Sequence, residues 1–133
     1  MENHPFVLDH KSPPLLFTPY RVGGKAYIEV HGDIHCQRNI ILSVTKHLET
    51  RPVGEGGRIQ VRGLSYRYNA SLQGKHEILR YDNTHSTYDY YHKHLFDPVS
   101  GTELDVIPLT REEFPVCHQV LDEIMEIAYR HQL

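Results

Sequence analysis

Residues 117–128 read Cys117-His118-Gln119-Val120-Leu121-Asp122-Glu123-Ile124-Met125-Glu126-Ile127-Ala128, and this stretch decides the fold class. Cys117, Val120, Leu121, Ile124, Ile127 and Ala128 recur at the spacing of one helix face, with acidic residues between them. Just upstream, Thr110-Arg111-Glu112-Glu113 has the form of a capping box, and Pro115 restarts the turn. One amphipathic helix therefore closes the chain.

Moving outward from the helix, the period drops to two. Thr102, Leu104 and Val106 alternate with Glu103 and Asp105 after a turn at Asp97-Pro98-Val99-Ser100-Gly101, and residues 90–96 precede that turn as another strand. Residues 77–82 and 58–69 read as strands separated by a turn at Gln73-Gly74-Lys75. In residues 58–69, Ile59 and Val61 keep one parity and Leu64, Tyr66 and Tyr68 the other, so a bulge at Gly63 is needed to keep the register. Ile28, Val30 and Ile34, then Ile40, Leu42 and Val44, mark two more strands joined near Gln37-Arg38-Asn39. The run Pro52-Val53-Gly54-Glu55-Gly56-Gly57 is a hairpin loop. Pro5, Pro13, Pro14, Pro19 and Gly23-Gly24 interrupt the first 24 residues, which read as an arm with one short strand at most. The expectation is an α+β protein, with five or six antiparallel strands covered by the C-terminal helix. Residues 1–24 form the proline-rich arm and residues 25–133 a single domain.

Composition narrows the function classes. A length of 133 residues accommodates one domain, and no apolar run approaches the roughly 20 residues of a membrane span. Met1-Glu2-Asn3-His4-Pro5 has neither the basic leader nor the apolar core of an export signal, so the cytoplasm is the expected location. Cys36 and Cys117 form no CxxC pair, which argues for two buried thiols over a disulfide framework. The net charge of −3 hides an asymmetry. Residues 1–57 are balanced, residues 58–96 carry six Lys/Arg against three Asp/Glu, and residues 97–133 carry two against eight. The middle segment also holds six of the nine tyrosines, so an anion would bind there. The acidic helix residues Asp122, Glu123 and Glu126 read as a solvated face.

The candidate chemistry is dense between Arg80 and His94. On a strand, Arg80 and Asp82 share one face, as do His92 and His94, and hairpin pairing would bring the four together with His85 in the connection. Three chemistries fit. His92 and His94 could act as general base and acid, with Arg80 or Lys93 stabilising phosphate charge, and so cleave RNA without a metal. His92, His94, His85 and Asp82 could ligate a divalent ion. Alternatively, Tyr66, Tyr68 and Tyr81 with Arg62 and Arg67 could bind single-stranded nucleic acid by stacking and charge, without turnover. Plainer explanations stand beside each: histidine is abundant throughout, Asp82-Asn83 suits a turn cap, and tyrosine is a favoured strand residue. There is no P-loop, nucleophile elbow or HExxH motif, which disfavours nucleotide-dependent enzymes.

The run Tyr66-Arg67-Tyr68, then Leu79-Arg80-Tyr81-Asp82-Asn83 with His85, then His92-Lys93-His94-Leu95 and an acidic C-terminal helix, resembles the TumE-like toxins of bacterial toxin-antitoxin pairs and related domains. The resemblance spans about residues 58–127. It implies a cytoplasmic bacterial protein that acts on RNA and is neutralised by a helix-turn-helix antitoxin. In that reading His92 and His94 are the acid/base pair, Arg80 and Lys93 stabilise phosphate, and His85 and Asp82 orient them. No cofactor is implied. An odd number of strands also leaves an edge through which two copies could pair as a homodimer.

Overall fold

A computed structural model describes residues 4–11, 13, 15–83 and 91–133. Seven strands form one antiparallel sheet in which each strand pairs with the next in sequence. They are β1 (Leu16–Val22), β2 (Lys25–His35), β3 (Ile40–Pro52), β4 (Ile59–Leu72), β5 (Glu77–Asp82), β6 (Tyr91–Phe96) and β7 (Glu103–Leu109), followed by helix α1 (Cys117–Arg130). The class is α+β as expected, but the strands number seven rather than five or six. The seventh is β1, which lies within the proline-rich N-terminal segment, where the sequence allowed one short strand at most. Pro19 sits in it opposite Ile28, and its missing N–H is tolerated because β1 is an edge strand with a partner on one side.

The bulge falls where the parity of β4 changes. His47 pairs with Ser65 and Leu48 with Gly63, so Leu64 has no partner on β3. Glycine is required here for space: a β-carbon at position 63 would lie 1.4 Å from the Tyr66 hydroxyl. The Asn83 side-chain oxygen accepts from the Tyr66 N–H at 2.7 Å and fastens β4 just beyond the bulge.

Register then assigns the two faces of the sheet, because directly opposed residues in an antiparallel pair point the same way. Val44, Tyr68, Tyr81 and Lys93 form one row, and Leu42, Ala70, Leu79 and Leu95 form the next. Helix α1 packs on this face and buries Val120, Leu121, Ile124 and Ala128 in the core. Thr110 and Glu113 do exchange hydrogen bonds, at 2.8 and 3.2 Å, but they close an isolated turn. The residue before a proline avoids the helical region, so α1 begins only after Pro115. Val116 has no side-chain acceptor to offer as a cap, and Gln119 accepts from its N–H at 3.0 Å.

The N-terminal segment packs onto the core. Phe6 is fully buried with its ring edge-on to Tyr129, the Gln37 N–H donates to the Phe6 carbonyl at 2.9 Å, and the Leu8 N–H donates to the His35 carbonyl at 2.8 Å. Deleting a buried phenyl ring typically costs about 3–5 kcal/mol. Phe6→Ala is therefore expected to lose about that much in urea denaturation, whereas a segment that merely trailed in solvent would lose almost nothing.

Burial pushes the Cys36 thiol up to about 12, with the neighbouring Cys117 adding to the effect. The reactive species is the thiolate, which is then scarce at neutral pH. Cys36 in the native protein should resist a thiol reagent at pH 8 and react promptly in denaturant, as mass-mapped labelling would reveal.

Candidate functional site

The face of the sheet opposite Tyr68 and Tyr81 carries a polar cluster built by three consecutive strands. Arg67 of β4 lies opposite Asp82 of β5, which lies opposite His92 of β6, and one step along, Asn69, Arg80 and His94 form a parallel row. The alternation of strands alone places these side chains together. Asp82 is completely buried, and His92 and His94 are nearly so.

The Asp82 carboxylate is the hub. His92 Nε2 makes a close contact with Oδ1, while Arg80 Nε lies 3.4 Å and His94 Nε2 3.8 Å from Oδ2. An outer layer holds these groups in turn. Arg80 donates to Glu77 Oε1 at 3.0 Å, and its guanidinium sits 5.8 Å from the centre of the Phe96 ring. The His94 ring stacks against the same phenyl, and its Nδ1 is 2.6 Å from Glu103 Oε1 on β7. Arg80 Nη2 also approaches His94 Nδ1 at 3.3 Å, but one nitrogen cannot both donate and accept. The shorter contact to a carboxylate is the stronger, so Nδ1 carries a proton and donates it to Glu103. That hydrogen bond, with the Arg80 guanidinium nearby, holds the Glu103 carboxyl below the usual carboxylate range.

Of the residues singled out from sequence, Arg80, Asp82, His92 and His94 come together. Lys93 does not join them: strand alternation puts it on the helix side, where it meets Glu123 and lies 5.3 Å from the Tyr81 ring centre. His85 lies outside the described residues. Tyr68 and Tyr81 are buried against Phe114, and Tyr66 packs on the same ring, which leaves the first two no open face for a nucleobase. Arg67 is exposed beside Asp82 in the register, whereas Arg62 lies beyond the bulge, opposite Glu49. Asn83 serves the β4 backbone and not the cluster. Sequence reading missed Glu77 and Glu103. Glu103 is one of many acidic residues in the last third of the chain, and only the β6/β7 register singles it out.

A second grouping joins the N-terminal segment to α1. His4 Nε2 bonds Asp122 at 2.8 Å, and His118 Nδ1 lies 3.6 Å from the same carboxylate. The backbone N–H of Phe6 donates to His4 Nδ1 at 3.1 Å, so in a neutral ring Nε2 holds the proton and cannot also offer a lone pair to an ion. This grouping is a hydrogen-bonded clasp.

The chain matches no family model, no curated protein and no solved structure.

The acidic residues of α1 are correspondingly engaged. Glu123 accepts from both the Tyr81 hydroxyl and Lys93, and burial, followed by the hydrogen bond to Glu123 and the charge of that carboxylate, pushes the Tyr81 phenol far above its usual value. Removing a carboxylate that serves two half-buried donors costs about 1–3 kcal/mol. Glu123→Ala should lower stability by that amount in urea denaturation, and Glu112→Ala, at an exposed position with no such partners among the described residues, should be near neutral.

Proposed function

We propose that the protein cleaves RNA, with the cluster of Arg80, Asp82, His92 and His94 as its working centre, in the manner of a toxin from a bacterial toxin-antitoxin pair. The observation that carries this reading is the strand register. The three sequence segments that resemble the TumE-like toxins fall on β4, β5 and β6, which are consecutive neighbours, and their polar residues meet on one face. Segments that are apart in sequence thereby become one site.

The reaction is the internal transesterification of RNA. The 2'-oxygen attacks phosphorus as its proton leaves, the P–O5' bond breaks, and the departing 5'-oxygen takes up a proton. The products are a 2',3'-cyclic phosphate and a 5'-hydroxyl. His92 and His94 are the general base that takes the 2'-hydroxyl proton and the general acid that protonates the 5'-oxygen, Asp82 orients them, and Arg80, braced by Glu77, faces the charge that builds on phosphate. Arg67 adds a cation at the exposed margin. Lys93, committed to Glu123 on the other face, has no part in it. The same reading brings a helix-turn-helix antitoxin as partner and a cytoplasmic location. No helix among the described residues is long and apolar enough to cross a membrane.

Expression in bacteria from a tightly controlled promoter tests the proposal. Wild type should arrest growth and degrade RNA, and purified protein should leave 2',3'-cyclic ends. His92→Ala/His94→Ala should lose at least 100-fold of the cleavage while remaining soluble, in line with the usual worth of general acid-base groups. Harmless expression together with intact RNA would sink the reading and turn attention to nucleic-acid or protein binding without turnover.

A further inference from the structure

We infer that Asp82, His92 and His94 bind one divalent transition-metal ion of the zinc type, an inference that rests on the reading of this cluster as the working centre. Three observations carry it. The first is convergence: one ligand atom from each of the three residues lies within 4.8 Å of the others, and all three residues are buried. Both imidazoles turn Nε2 toward the same carboxylate.

The second observation is the layer behind the ligands. Glu103 takes the Nδ1 proton of His94, which fixes the tautomer and leaves Nε2 as the lone-pair nitrogen facing Asp82. This carboxylate-histidine arrangement is the usual support of a metal-bound imidazole, and it raises the basicity of the ligand.

The third is charge. Glu77, Asp82 and Glu103 surround the single guanidinium of Arg80, an excess of carboxylate over guanidinium among the described residues. Even Arg67, at the margin, does not cancel it. A divalent ion balances the excess and, with Arg80 and Arg67, makes the site positive enough to receive an RNA backbone. Two imidazole nitrogens and one carboxylate oxygen suit zinc and its first-row neighbours over magnesium or calcium, and three protein ligands leave a position open for water or substrate.

Tag-free full-length protein, stripped with EDTA, is titrated with zinc chloride by calorimetry, and with cobalt chloride by visible absorption. One ion per chain is expected, with the intense bands of a low-coordinate cobalt site. His92→Ala and Asp82→Asn should abolish both signals. Glu103→Ala changes a half-exposed residue that does not threaten folding, and it should weaken zinc binding about 10–100-fold. His118→Ala, in the clasp on α1, should leave binding unchanged. Absence of stoichiometric binding to folded wild type, or binding that survives His92→Ala but is lost in His118→Ala, overturns the inference. The RNA assay separates the two readings. Cleavage that persists undiminished in EDTA removes the metal and keeps the ribonuclease, whereas a bound ion with intact RNA keeps the metal site and removes the ribonuclease.

Discussion

A carboxylate taken wholly out of water must be compensated where it stands, and Asp82 imposes that demand on the middle of the sheet. Moving an isolated charge of this kind into a protein interior costs several kcal/mol even after relaxation. The sheet meets the demand by register: His92 lies directly opposite on β6, and Arg80 and His94 lie one step along on the same face. A slip of one residue between β5 and β6 would turn either the carboxylate or its partners to the helix side, among Tyr68, Tyr81 and Leu79. The geometry of the site and the pairing of these strands are therefore one constraint.

The same alternation gives the two faces their separate duties. Lys93 stands between His92 and His94 in sequence and reaches the opposite layer, where Glu123 binds it together with Tyr81. His-Lys-His is thus not one functional unit. Its two imidazoles belong to the polar cluster, and its lysine ties the sheet to α1. A substitution at Lys93 would act through helix packing, and one at either histidine through the site.

The strands of the central sheet and the closing helix were legible because their apolar residues keep strict period two or helical spacing. The β4 bulge was legible because parity changes at a glycine. The first strand was legible only as the one short strand the N-terminal segment allowed, because Pro19 mimics a breaker that an edge position makes harmless. The convergence of Arg80, Asp82, His92 and His94 followed from spacing alone, since hairpin neighbours with matching parity must meet. What spacing could not supply was the surroundings. Glu103 reaches His94 through a β6/β7 register that shifts between Leu95 and Phe96, and Tyr68 and Tyr81 owe their burial to Phe114 and the helix, far along the chain.

The charge asymmetry along the sequence also changes meaning in three dimensions. The acidic last third reads as a solvated face, yet Asp122 holds His4 and Glu123 holds Tyr81 and Lys93, so two of its carboxylates fasten the N-terminal segment and the sheet to the helix. Glu103 is drawn into the cluster on the other face. Conversely, the basic middle third gives the site only Arg80 at its centre and Arg67 at its margin, because Lys93 is spent on the helix and Arg62 lies beyond the bulge. Segment charge thus assigns phosphate binding to a site that is locally acidic. In the proposed reading of this cluster, a metal ion held by two imidazoles and a carboxylate would add the positive charge that the segment as a whole promised and the folded site lacks.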